Sequence, residues 1–348
     1  MFDNILPSDH LQQVSATLPA FASVITLLIA LLLDKTLGEA RRFHYLVGFG
    51  NLANSLANRL TNKLATNPTP ELETAAVKKS ALKTKLLGAI AWGLLVLPLP
   101  VLYYFFIDHL TWYWQIMLDA TVLYLAIGLT SLHQHAMQIY QPLKSGDLIT
   151  ARHFTGYIVS RDTTTLNEQE MSRATVESVL ENGHDAVIAS LVYYLIGGAP
   201  LVILHRLANT LDAMWGYKNS RFINFGYASA RLDDLLGFIS GKCCTLLYAA
   251  QALPQRNFMP AIRNAYRQGN QYKSHNGGWV MAAGATVIGR KLGGNAQYHG
   301  KIVHSVTLGA GVEVSTDDIA SSLRLVNRAS LLLVIWVFIC QLTSYCLI

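Results

Sequence analysis

The chain has 348 residues, of which 52% are hydrophobic and only 14% charged. A soluble domain carries about 25% charged residues, so this composition excludes a disordered chain and argues against an ordinary soluble enzyme. The net charge is +6, and the four cysteines (Cys243, Cys244, Cys340 and Cys346) form no CxxC pair, so neither a disulfide framework nor a zinc finger is suggested.

In chain order, the first apolar run near the bilayer-spanning length of about 20 residues is 14–33. It has no basic flank before it and no small-residue cleavage site before Asp34, so it reads as a retained span rather than a signal peptide. A second run, 86–107, is broken by Pro98 and Pro100. A third, 112–131, follows the short turn 108–111, so the two form a helical hairpin. Tyr103, Tyr104, Trp112, Tyr113 and Trp114 flank that turn as an aromatic belt would. The third run holds Asp119, which is either a functional acid or a neutral acid bonded to a neighbouring helix. A fourth run, 331–348, lies at the C-terminal end. No Lys or Arg occurs in 1–33, 86–133 or 330–348. The positive-inside rule therefore places 34–85 and 134–329 in the cytoplasm. The fold expected is all-α: one multi-pass membrane domain over 1–348, with spans near 14–33, 86–107, 112–131 and 331–348.

Two further apolar stretches, 186–204 and 235–253, are expected to be re-entrant or buried helices facing the cytoplasm. The first is interrupted by Gly197-Gly-Ala-Pro200 and the second carries Lys242. Irregular backbone at membrane depth is tolerated only where protein covers it or it lines a cavity.

The polar centre is 150–235. A helix is expected over 167–182, capped by Asn167, with Glu168 and Glu170 in its first turn and Gly183 as its stop. Arg173, Glu177 and Glu181 fall four apart on one face, followed by Asn182 and Asp185. A second polar set is Asn209, Thr210 and Asp212, with Tyr217 close behind. A third is Arg231, Asp233 and Asp234. Taken alone, the first set is a solvated face with an ion pair, and Asp233-Asp234 caps a helix starting near Leu235. Their position beside apolar helices favours a different role. Carboxylates there are costly unless they hold cations, and Mg²⁺ with nucleotide phosphate suits them. Gly237-Phe-Ile-Ser-Gly241-Lys242 is one residue short of a P-loop, and Gly48-Phe-Gly50 has no preceding strand. His133 and His135 are too few to suggest a metal.

Segment 159–234 resembles the CobD/CbiB family, the adenosylcobinamide-phosphate synthases of cobalamin biosynthesis. The matching residues are Arg161-Asp162, Glu177, Glu181-Asn182, Asp185, Asn209-Thr210-Leu-Asp212, Gly216-Tyr217 and Arg231-Leu-Asp233-Asp234. Weaker matches include Asp34, His44, Ser274, Asn276, Leu292-Gly293-Gly294 and Asp317-Asp318. The resemblance implies a multi-pass enzyme of the cell inner membrane, its polar segments mostly cytoplasmic. It would join a carboxylate of adenosylcobyric acid to aminopropanol or its phosphate, using ATP and Mg²⁺. Glu177, Glu181, Asp185 and Asp212 are then the catalytic candidates, in metal, amine or general-base roles. Arg161, Asp162, Asn182, Asn209, Thr210, Tyr217, Arg231 and Asn276 would bind substrate, with Asp233 and Asp234 on Mg²⁺. The partners implied are the corrinoid, the amine, the bilayer and other late membrane enzymes of the same pathway. Nucleic acid is not among them, since the basic residues follow the topology rule rather than forming a patch. The sequence departs from the family pattern at Gly38-Glu-Ala, at His44-Tyr-Leu, at Ser274-His-Asn276 and at Met281, where a glutamate is usual. These changes leave a second reading, a diverged non-catalytic paralogue that binds or regulates in the membrane.

Overall fold

The computed structural model describes residues 18–39, 45–62, 74–159, 162–217, 219–298 and 301–347. Of the residues singled out above, 14–17, His44, Arg161 and Ile348 lie outside these. The helices are α1 (Ala22–Leu37), α2 (Tyr45–Asn62), α3 (Thr74–Val96), α4 (Pro98–Ile107), α5 (Trp112–Ala126), α6 (Leu129–Ser145) and α7 (Leu148–Ile158). They continue as α8 (Glu168–Asn182), a π-helical turn (Gly183–Ile188), α9 (Ala189–Trp215), the short α10 (Phe222–Phe225) and α11 (Tyr227–Ala250). After α12 (Phe258–Gly269) and α13 (His275–Ile288) come β1 (Arg290–Tyr298), β2 (Lys301–Gly309) and β3 (Val312–Glu313), and α14 (Asp317–Leu347) ends the described chain.

Among the described residues, five helical runs are long and apolar enough to cross a membrane: Leu18–Leu37, Ser80–Ile107, Trp112–Ser145, Glu168–Trp215 and Asp317–Leu347. Four of them cover the described parts of the expected spans. The fifth takes in 186–204, expected to be re-entrant or buried. It is not one rod: the backbone is non-helical at Gly197 and Gly198, and Tyr193 stacks on His205 with centroids 5.0 Å apart, so the chain turns back on itself there, as expected of a re-entrant segment. Its most apolar window is 56% buried within the protein, against 22–33% for the other four, so it is the helix that the rest surround. It breaks where the glycines predicted, at Gly197 and Gly198, the latter at φ 65° where a side chain would be strained. The 235–253 stretch forms most of α11, which is not among the five.

The outer faces carry large exposed apolar side chains, among them Leu94, Phe105, Trp114 and Trp336. Such a surface is a liability in water and is what lipid covers in a bilayer. Inside, one core joins α8, the π-turn, α9, α11, α13 and α14 through Leu180, Ile188, Leu191, Tyr248, Met281 and Val326. A second gathers Ala53, Trp92, Trp215 and Phe225 from α2, α3, α9 and α10.

The membrane-level acids are held structurally. The Tyr103 hydroxyl donates to Asp119 Oδ1 at 2.6 Å, which answers the hairpin question in favour of a bonded acid. Asp34 is buried on α1 and accepts from the Thr130 N–H (2.9 Å) and hydroxyl (2.8 Å), closing the start of α6.

Two local features depart from the expectation. Gly183 does not end α8. It continues at φ −58°, ψ −36° into the π-turn. A Cβ there would lie 2.6 Å from Val326 and 2.8 Å from the Tyr248 hydroxyl, so the glycine is required for packing rather than for capping. The expected cap itself is present: Asn167 and Glu170 form a reciprocal capping box. The second departure is a small sheet of order β2-β1-β3 added to the helical body. Its β1–β2 hairpin is antiparallel, with an irregularity between Gly293 and Asn295.

Candidate functional site

The three polar sets converge because α8, α9 and α11 bring them to one region. The π-turn inserts an extra residue per turn directly after Glu181 and Asn182, which re-aims Asp185 relative to the preceding helix. Single π-turns of this kind recur at functional sites. The Gly293 N–H of β1 donates to Glu177 Oε1 at 2.7 Å, so the unanticipated strand positions the first carboxylate. Glu181 lies against the N-terminus of α13. A Cβ on Gly277 would come 2.5 Å from its Oε1. A helix N-terminus favours a carboxylate, and the absence of a side chain at Gly277 is what lets this one approach. Asp185, Lys273, Glu177 and His184 are the charges that act on Glu181.

Asp212 sits near the end of α9, where Gly216 closes the helix by donating to the Asp212 carbonyl at 2.7 Å. A Cβ on Gly216 would overlap the Asp212 carboxylate, so that glycine too makes room for an acid. Asp233, in the first turns of α11, accepts from Asn209 Nδ2 at 3.3 Å. Burial pushes Asp233 up to about 8, and the Asp185 and Asp212 carboxylates push the same way. Among the described residues, no Lys or Arg comes within 4.0 Å of Asp185, Asp212 or Asp233. These carboxylates are neighbours that repel one another.

The face of α11 explains the motif that resembled a P-loop. Gly237 and Gly241 are one turn apart. A Cβ at Gly237 would lie 2.6 Å from Asn276 Nδ2, and one at Gly241 3.7 Å from His184 Nε2. Gly237 lets α11 close on α13, whereas a Cβ at Gly241 would make only ordinary contact. Asn276 Nδ2 then donates to the Asp234 carbonyl at 2.8 Å, tying the two helices together. Beside them Lys242 rests its ammonium 3.0 Å from the Trp279 ring centroid. Burial holds Lys242 down to about 8.

The remaining predicted residues make outlying or local contacts. Arg231 and Asp234 are exposed and 4.0 Å apart. Asp162 is exposed and accepts from the Thr164 N–H (2.9 Å) and hydroxyl (2.7 Å), a local turn. Thr210 donates to the Arg206 carbonyl, Asn182 to the Ser178 carbonyl, and Tyr217 is exposed. Asp318 of the weaker match holds Arg290 at 2.7 Å and Asp317 holds Lys144 at 3.1 Å, anchoring the sheet and α6 to α14. Met281 is buried in the apolar core.

Sequence reasoning missed His184, Ser240, His205 and Lys273. His184 Nε2 lies 2.9 Å from Ser240 Oγ, and its Nδ1 lies 2.7 Å from Asp185 Oδ1. His205 is buried and stacks on Tyr193 with centroids 5.0 Å apart. The signal available was a histidine adjoining a motif aspartate and another inside an apolar helix.

A helical membrane protein with a cluster of carboxylates beside its most enclosed helical segment is thereby defined. Comparison with known proteins gives its family: residues 27–326 match the CobD/Cbib protein family model, and the chain belongs to that family. A cobalamin biosynthesis protein CobD from Chromobacterium violaceum is 42% identical over 308 residues, covering 88% of this chain and 93% of the relative. The protein of the same name from Stutzerimonas stutzeri is also 42% identical over 308 residues, with the same coverage. That from Klebsiella pneumoniae is 36% identical over 243 residues, 69% of this chain and 73% of the relative. No solved structure matches the chain.

Proposed function

We propose that this protein acts in cobalamin biosynthesis as the membrane enzyme joining a carboxylate of adenosylcobyric acid to aminopropanol or its phosphate. Family membership and the shared name of its relatives support the pathway. The observation that carries the reaction is the set of Asp185, Asp212 and Asp233, crowded together with no Lys or Arg within 4.0 Å among the described residues. An amine substrate is a cation at neutral pH, and such a set attracts it. A base must remove its proton before the nitrogen can attack a carbonyl carbon.

Among the described residues, no three or more His, Cys, Asp or Glu converge on one metal position. The donor set is nonetheless the kind Mg²⁺ takes, one or two carboxylates with the rest of the shell left to water and phosphate oxygens. Asp212 and Asp233 would hold the ion, with Asp234 beside them. ATP would supply the phosphoryl group that turns an unreactive carboxylate into an electrophile. The residues of the chain do the remainder. Asp185 and Glu181 receive the ammonium and take its proton, Glu181 being steadied by the α13 N-terminus. Asn209 keeps Asp233 in place, and Asn276 fixes the entrance by binding α11 to α13. We place this region on the cytoplasmic side of the inner membrane, where ATP is available and where the basic loops belong.

The test uses detergent-purified protein with adenosylcobyric acid, aminopropanol phosphate, ATP and Mg²⁺. Product is followed by mass. Amide product that requires both ATP and the amine is expected. Corrinoid binding with no product under any amine would support the binding paralogue instead.

A further inference from the structure

The acids proposed for chemistry differ in how they are held. Glu177 rests on a strand N–H and Glu181 on a helix N-terminus. Asp185 has a side chain of its own behind it. His184 is 1% exposed and the Asp185 side chain 34% exposed, so the imidazole is sealed inside while the carboxylate faces out. Their contact is 2.7 Å between Nδ1 and Oδ1, off the line of the N–H. A carboxylate oxygen and a bare ring nitrogen would repel at that distance, so Nδ1 carries the proton. The other ring nitrogen is held 2.9 Å from the Ser240 hydroxyl. Ser240 is fully buried, and its oxygen also lies 3.4 Å from the Leu236 and Gly237 carbonyls. The hydroxyl can donate to the ring, or accept from it while donating to a carbonyl.

The surroundings offer Asp185 no comparable partner. Among the described residues, Glu181 faces it from α8, His205, Arg206 and Asp212 from α9, and Asp233, Tyr248 and Cys244 from α11. None of these makes a hydrogen bond or ion pair with its carboxylate. Nothing in the motif reading or the proposed chemistry uses His184 or Ser240.

We propose that His184, locked by Ser240, is the positioning residue of the site, its Nδ1–H holding the Asp185 carboxylate toward the incoming amine. The inference rests on the amide-forming reading above. His184 does not touch substrate. Its action is to fix the orientation of a side chain that does, within the π-turn that carries both residues.

Two near-isosteres separate the two ring contacts. In His184→Asn the side-chain amide nitrogen falls where Nδ1 was and still reaches Asp185, but cannot reach Ser240. In His184→Gln the amide nitrogen falls where Nε2 was, still reaches Ser240, and is lost to Asp185. Both variants are purified in detergent with the wild type, melting temperatures are compared, and kcat and KM are measured for amine and corrinoid. His184→Asn should retain turnover within about three-fold, and His184→Gln should lose about ten-fold or more in kcat with the corrinoid KM unchanged. Ser240→Ala should fall between them. Equal loss in the Asn and Gln variants, or turnover that simply follows melting temperature, overturns the positioning role and leaves a structural one. A wild type that forms no amide overturns the functional reading, and this inference with it.

Discussion

Gly277→Ala should separate catalysis from stability. A Cβ at this position would stand 2.5 Å from Glu181 Oε1, whereas ordinary contact begins at 3.4 Å. The carboxylate must therefore move by about 1 Å, and a misplacement of that size costs on the order of 10²-fold in rate. The stability terms nearly cancel. Weakening the contact between the carboxylate and the α13 N-terminus costs about 0.3–1 kcal/mol. Replacing a helical glycine by alanine returns about 0.5–1 kcal/mol. Glu181 yields at the flexible end of its side chain, so the backbone need not shift. The assay is amide formation by purified protein beside a thermal melt in the same detergent, with Gly48→Ala as control, since nothing lies within 4 Å of a Cβ there. Turnover within about three-fold of wild type, or a loss matched by a large fall in melting temperature, would refute the placement of Glu181 in the chemistry.

Asp233, held up to about 8 by burial beside Asp185 and Asp212, is largely protonated at pH 7 and attracts a cation only once ionised. The apparent affinity for Mg²⁺ should therefore rise as pH increases from 6 and level off above about 8, and Asp233→Asn should flatten that rise. The placement of the site also requires Asn219 and Gln271, both exposed, to lie on one side of the membrane. Single cysteines at these positions, in a chain lacking its native cysteines, should label from the cytoplasmic side alone; labelling from opposite sides would split the acidic set across the bilayer.

The membrane character was legible because charge is absent from whole stretches, and a bilayer permits few alternatives to helices there. The motif acids were legible as a set for the same reason: Glu177, Glu181, Asp185, Asp212 and Asp233 are costly where they stand. What each one touches was not legible. Gly183 looks like a helix stop by local preference, yet Val326 and Tyr248 press on it from distant parts of the chain and keep the helix going. The β1–β2 hairpin was missed because its glycines weaken the alternation that marks a strand, although Gly293 holds Glu177. Ser240, Gly241 and Lys242 were examined for phosphate binding by spacing alone, whereas their roles are set by His184, Asn276 and Trp279 on other helices.

The most direct test is genetic. A bacterium lacking its own adenosylcobinamide-phosphate synthase is supplied with cobyric acid and given this chain or its Asp212→Ala variant, and cobalamin-dependent growth is measured. Growth with the wild type and none with the variant is predicted. No growth with wild-type protein present in the membrane, or equal growth with both, would contradict the account.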